Sequence, residues 1–144
     1  MSRERKRHSA NPLEHVDARV LALRLAFRTM GPLAPARAAR LAEKIFTRPP
    51  VHALREGELE FLATGESFRV QHGSQSLAAW QWGSGPVILL MHGWGSRASR
   101  FRYFVPPLVA AGFRAVAFDG PGHGQTGGTR ASLPEFAAAL TAVG

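Results

Sequence analysis

The sequence predicts an α/β fold: parallel strands joined by crossover helices, preceded by an antiparallel hairpin and, before that, a helical extension. Three observations carry this prediction. Val87-Ile88-Leu89-Leu90-Met91 is an unbroken apolar run after a turn, and Phe113 to Asp119 is a second. Runs without alternation belong to strands covered by helices on both faces. Between them Phe101, Phe104, Val105 and Leu108 recur at helical spacing, and each run ends in a glycine-rich loop. The order strand, helix, strand, helix implies right-handed crossovers.

Residues 1–10 read as a disordered basic tail. Asn11, Pro12 and Glu14 form a helix start, with an N-cap side chain, Pro at the first helical position and Glu at N3. Leu13, Val16, Val20, Leu23, Phe27 and Met30 follow on one stripe, while Arg19, Arg24 and Arg28 fall away from it. Gly31-Pro32 is expected to end this helix. A second helix is expected from Pro35 to Phe46, stopping before Pro49-Pro50. Together residues 11–50 form a helical extension, read as a hairpin packed on the main domain, with a membrane-surface or partner-binding arm as the alternative. The main domain takes residues 51–144.

From about Glu58 the period changes. Phe61, Phe68, Val70, Leu77, Ala79 and Trp82 sit in short stretches broken by Gly65, His72-Gly73-Ser74 and Gly83-Ser84-Gly85-Pro86. This pattern predicts two or three short strands, the last two joined as a hairpin. Val87–Met91 is then a buried strand. In the following helix Pro106-Pro107 must kink or divide the chain, because each ring removes a backbone donor, and Gly112 is placed to cap its C-terminus. After the second buried strand, Ser132-Leu133-Pro134-Glu135 opens a last helix as a capping box, continuing through Phe136 and Leu140.

Composition bounds the function. The 144 residues are 45% hydrophobic and 19% charged, with no cysteine and a net charge of +8. That suits one globular domain and excludes a disulfide scaffold, a thiol nucleophile and a Cys-based metal knot. No apolar run approaches the roughly 20 residues that a bilayer span needs; Val20 to Phe27 carries Arg24. The positive excess lies in residues 1–55, with 12 Lys+Arg against 4 Asp+Glu, whereas residues 56–144 hold six of each. Arginine-rich composition accounts for part of this, and a basic face toward an anionic surface is the sharper reading. No aromatics interleave with the basic residues, so no nucleic-acid partner is expected. Arg3, Arg5, Lys6 and Arg7 are followed by no apolar signal core, and Glu4, Glu14 and Asp17 argue against a transit peptide, so a cytoplasmic chain is expected. The six His have no ligand spacing and no carboxylate cluster, so no metal and no cofactor are expected.

Chemistry is expected at the two loops that follow the buried strands, since open α/β sheets bind ligands at the C-terminal ends of their strands. In His92-Gly93-Trp94-Gly95 two glycines let the backbone turn sharply and approach a bound group. Such a turn aims the Trp94 N–H as a fixed donor toward a developing oxyanion. The second loop is Asp119-Gly120-Pro121-Gly122-His123-Gly124-Gln125-Thr126, where an aspartate ends the strand and glycines permit left-handed backbone.

These motifs resemble the α/β-hydrolase superfamily, of esterase or lipase type, over residues 58–144. His92-Gly93-Trp94-Gly95 resembles the family's oxyanion loop, and Asp119-Gly120-Pro121-Gly122-His123-Gly124 its Asp-x-Pro-Gly-His-Gly loop. The hairpin from Phe68 to Trp82 resembles its first two strands. Pro86 to Leu140 resembles the third strand, first helix, fourth strand and following helix. The resemblance implies that Trp94 N–H is one oxyanion donor and that the N–H after the nucleophile is the other. It implies that His92, Gly93 and Gly95 border the substrate. Asp119, Gly120, Gly122, His123 and Gly124 are then structural loop residues, and neither His92 nor Asp119 is a triad member. The implied reaction is Ser-His-acid attack on a small carboxylic ester, without cofactor or metal.

One departure stands out. The family's nucleophile elbow is Gly-x-Ser-x-Gly, and no such pentapeptide occurs; Gly65-Glu66-Ser67-Phe68-Arg69 lacks the final Gly. In the family the elbow follows a fifth strand, so residues 1–144 are expected to be an N-terminal half, inactive alone. Because the family places its third strand between the fourth and fifth, Val87–Met91 is expected to expose an unpaired edge, making the isolated chain poorly soluble or partly molten. His123 is read as a loop histidine, not a base. Two other readings compete with this one. Gly122-x-Gly124-x-x-Gly127 matches a dinucleotide fingerprint, but the Pro-Gly-His-Gly loop fits a hydrolase better; a phosphate loop fails because Gln125 stands where Lys should precede Thr126 and Asp119 occupies the first Gly position. A non-catalytic scaffold that binds a partner or membrane surface is the main alternative.

Overall fold

The computed structural model describes residues 17–144, and the chain divides into two units between Glu43 and Lys44. The helix start expected at Asn11-Pro12 and the tail over residues 1–10 lie outside the described residues.

In the first unit, α1 spans Ala18–Leu33, with the Asp17 carboxylate accepting from the Arg19 N–H at 3.0 Å. The helix does not end at Gly31-Pro32: Pro32 lies inside its last turn, and the Ala34 N–H still closes onto the Met30 carbonyl at 2.8 Å. A proline this late removes only the donor that would reach Arg28, so the last turn survives. Helix α2 spans Pro35–Phe46, with proline at its first position, where no N–H partner is needed.

The second unit begins with the end of α2. Thr47 joins it through the Ala131 N–H, which donates to the Thr47 carbonyl at 2.8 Å. Helix α3 spans Glu56–Ala63, so Phe61 is helical rather than part of a strand. Two glutamates in its first turn favour the helix through the backbone dipole, and Phe61 and Leu62 turn to the core. Strands β1 (Glu66–His72) and β2 (Gln75–Trp82) form the expected hairpin about Gly73-Ser74, with His72 opposite Gln75. Strand β3 is Val87–Met91 and β4 is Arg114–Phe118.

The sheet order is β1-β2-β4-β3, with β3 and β4 parallel and the other pairs antiparallel. Strand β4 lies between β2 and β3 and is the most buried. Large and small residues oppose each other across β2 and β4: Trp80 faces Ala117, Trp82 faces Ala115 and Ala79 faces Phe118. This alternation lets two indoles pack without lifting a helix off the sheet. Leu62, Val105, Leu108 and Phe101 cover the face that carries Trp80 and Trp82. Helix α5 (Leu133–Val143) covers the opposite face, placing Ala139 and Val143 on Leu77, Ala79 and Phe118.

Between β3 and β4 the expected helix is divided. A 3-10 turn over Ala98–Tyr103 gives way at Phe104 to α4, Val105–Ala110, whose first turn holds Pro106 and Pro107. Gly112 closes it in a left-handed conformation (φ +83°): its N–H donates to the Val109 carbonyl, and the Phe113 N–H to that of Leu108. This is the Schellman pattern. Strand β3 departs from expectation in burial. It is apolar toward both faces, with Leu90 on one side and Leu89 and Met91 on the other, yet it is only half-buried and Val87 is 57% exposed. The reason is its place at the sheet edge, where β4 is its one neighbour among the described residues.

Candidate functional site

Strands β3 and β4 run parallel in register, Met91 beside Phe118, so the loops that follow leave the same end of the sheet. Two histidines stitch these loops together in opposite directions. The Gly120 N–H donates to His92 Nε2 at 2.9 Å, and the Gly95 N–H donates to His123 Nε2 at 3.0 Å. The other ring nitrogens face carbonyls: His92 Nδ1 lies 2.8 Å from the Gly93 oxygen and His123 Nδ1 lies 2.8 Å from that of Pro121. A carbonyl needs a donor and an amide N–H needs an acceptor, so each ring carries its proton on Nδ1. Burial pushes the His92 pKa below its ordinary value, and the nearby His123 and Arg97 push the same way; the Gly93 carbonyl and Asp119 oppose them.

Asp119 anchors the arrangement. Its side chain is buried, Oδ1 accepting the Ala98 N–H and Oδ2 the Gln125 N–H, both at 2.7 Å. One carboxylate therefore ties the 3-10 turn after β3 to the loop after β4. Gly124 permits this: it is left-handed (φ +47°), and a Cβ there would overlap the Asp119 carboxylate. The Thr126 hydroxyl donates to the Asp119 carbonyl and accepts the Ala78 N–H at 2.9 Å, fastening the loop to β2.

Trp94 is held at the tip of the first loop. Of its two flanking glycines, Gly95 is left-handed (φ +67°) and a Cβ there would lie 2.8 Å from Pro50. Gly93 is not left-handed and has open space around it, so only one of the pair is needed for the turn. Among the described residues no hydrogen bond engages the Trp94 N–H, although both neighbouring residues are tied down. The indole is 45% exposed, stacks on Phe46 at 6.0 Å and meets His123 edge-on at 5.4 Å. A cavity of about 180 Å³ opens beside the loops, bounded by Pro50, His52, Gly95, Arg97 and His123. Trp94 is not among its walls.

This geometry is similar to that of known proteins. The serine aminopeptidase S33 family matches residues 84–143, from the turn before β3 through α5. The bifunctional epoxide hydrolase 2 of Rattus norvegicus is 46% identical over 44 residues, which is 31% of this chain and 8% of that protein. Among solved structures, the thioesterase domain from the curacin biosynthetic pathway is 29% identical with a TM-score of 0.50, over 55% of this chain and 32% of that one. An epoxide hydrolase from an endophytic Streptomyces is 28% identical with a TM-score of 0.50, over 62% of this chain and 26% of its own. The chain has the fold of the N-terminal part of an α/β-hydrolase. It spans about a third or less of the length of these relatives.

The α/β-hydrolase scaffold here relies on residues that the motifs did not single out. Phe136 reaches back from α5 to form the floor of the loops: it meets His92 and His123 edge-on at 5.6 and 5.1 Å. A Cβ on Gly120 would lie 2.7 Å from its ring, which explains a glycine whose backbone angles are ordinary. Buried Glu58 on α3 accepts from the Ser99 hydroxyl at 2.9 Å and from the Arg55 N–H at 3.1 Å. Burial raises its pKa, but these two bonds and the charges of Arg97 and Arg100 outweigh that and leave it below its ordinary value. Glu58 supplies only the returning half of a capping box, because Arg55 at the N-cap has no acceptor, so neither this bond nor the partner Ser99 was foreseeable.

Proposed function

We propose that this chain supplies the oxyanion-binding side of a hydrolase that cleaves carboxylic esters by Ser-His-acid chemistry. The observation that carries the reading is the unbonded Trp94 N–H, set between the Gly93 carbonyl and the Gly95 N–H, which are both hydrogen-bonded. As a serine oxygen bonds to the acyl carbon, its proton passes to the triad histidine and the carbonyl π pair moves onto oxygen. A fixed N–H gains strength as that charge grows, and because the loop is already immobilised the donor needs no reorganisation. The anion then collapses, the alkoxide leaves and takes a proton from the histidine of the triad. His92, Gly93 and Gly95 border the substrate in this reading. No residue of this chain is assigned as nucleophile, acid or base.

Epoxide opening is a second reading, favoured by the 46% identity to a protein named bifunctional epoxide hydrolase 2. It also leaves negative charge on an oxygen, so it draws on the same donor. The test uses the longest open reading frame that contains these residues, assayed with p-nitrophenyl butyrate and with styrene oxide. Trp94→Pro deletes the amide donor and is expected to lower kcat by about 10²–10³-fold, while Trp94→Ala retains most of the rate. Equal loss in both variants would remove the amide from the mechanism. Residues 1–144 alone are expected to show no turnover above background, and robust hydrolysis by them would overturn this reading.

A further inference from the structure

We propose that α1 docks on an anionic phospholipid surface, lying in the plane of the membrane. The helix is apolar around most of its circumference, yet it buries none of its residues. Leu21 and Leu25 are 62% and 64% exposed. Arg24 and Arg28 are also exposed and share their face, since positions 21, 24, 25 and 28 follow the spacing that aligns side chains along one stripe. Among the described residues neither arginine makes an ion pair.

That interleaving selects the occupant. Docking this stripe into an apolar protein groove would bury two guanidinium groups without acceptors, at a large desolvation cost. At a lipid surface both kinds of side chain are satisfied together. The leucines enter the acyl boundary, and the arginines extend to the phosphates, to which their planar forks bond bidentately. Charge agrees: residues 17–43 hold five arginines against Asp17 and Glu43, while residues 56–144 are balanced. Length excludes the spanning alternative, since 16 residues rise only about 24 Å and no described helix is long and apolar enough to cross.

The experiment is flotation of the full chain with vesicles of phosphatidylcholine, with and without about one third phosphatidylglycerol. Aggregated protein stays at the bottom of the gradient and is not scored as bound. Binding to the anionic vesicles is expected to be at least about tenfold tighter and to weaken as salt rises. Arg24→Glu with Arg28→Glu should abolish the preference for anionic lipid. Leu21→Ser with Leu25→Ser should weaken binding while leaving its charge dependence in place. All four positions are exposed, so circular dichroism should be unchanged. Equal binding to neutral vesicles, or no flotation at all, would overturn the proposal. So would a dimer dissolved by Leu25→Glu in a chain that ignores lipid, which would assign the stripe to a second copy.

Discussion

Replacing Asp119 by Asn tests how the two loops are held. The change keeps the shape of the side chain but converts one carboxylate oxygen into an NH2 donor. Wild-type Asp119 accepts two backbone N–H groups, from Ala98 and Gln125, at 2.7 Å each in a buried setting. An asparagine serves only one of them; whichever way it turns, its amide nitrogen faces the other N–H. The loss is one charge-assisted hydrogen bond, about 1.5–3 kcal/mol, together with a stranded buried donor, about 1–3 kcal/mol. The expected destabilisation is therefore about 2.5–6 kcal/mol, a large share of the roughly 5–15 kcal/mol of a small domain. Urea titration at low protein concentration, followed by tryptophan fluorescence, reads this as a lower midpoint at similar slope. Hydrogen exchange should show lost protection at Ala98 or Gln125 first. A midpoint corresponding to less than about 1 kcal/mol, with both amides still protected, would refute the carboxylate's role as anchor.

Acid should weaken the fold in two stages. The His92 pKa is lowered from 6.5, so the neutral ring is the native form; its contribution is complete above pH 6.5 and is lost as pH falls toward the lowered value. The Glu58 pKa is lowered from 4.5, so its contribution is complete above pH 4.5 and is lost below that as pH falls through the lowered value. His92→Gln should flatten the upper limb of Tm against pH and Glu58→Gln the lower; a Tm that rises on acidification would contradict both. Gly112→Ala and Gly124→Ala place alanine in left-handed backbone, but only Gly124 is crowded. Gly112→Ala should cost about 1–2 kcal/mol and Gly124→Ala distinctly more, because the Asp119 carboxylate must move; equal midpoints in urea would refute that contact. At the sheet edge Val87 is 57% exposed, so Val87→Lys should reduce concentration-dependent light scattering of residues 1–144 at neutral pH. A sharp two-state melt of a wild-type monomer at high concentration would show that the edge does not drive association.

Local rules made much of this molecule legible. The two-residue turn at Gly73-Ser74 and the buried run at Ala115–Phe118 follow from period and turn chemistry. So do the division of a helix at Pro106-Pro107 and the left-handed cap at Gly112, all of which act over a few residues. Phe61 was misread because an apolar residue among glutamates fits a strand or a short helix equally well. Only the packing of Phe61 and Leu62 against the core beside Trp82 distinguishes them. Pro32 was misread because a helix tolerates proline in its last turn when the following residues still find carbonyls to close onto.

The two loops divide along the same line. Their glycines, histidines and aspartate were readable as loop-forming chemistry. What pairs with what was not. His92 answers Gly120, His123 answers Gly95, Asp119 spans from Ala98 to Gln125, and Phe136 comes from a separate helix to support them all. A sequence displays which groups can donate and accept, and which backbone angles a residue tolerates, because those are properties of single residues. Partnership depends on distances across the sheet, and these exist only after β3 and β4 have aligned in register and α5 has closed over their ends.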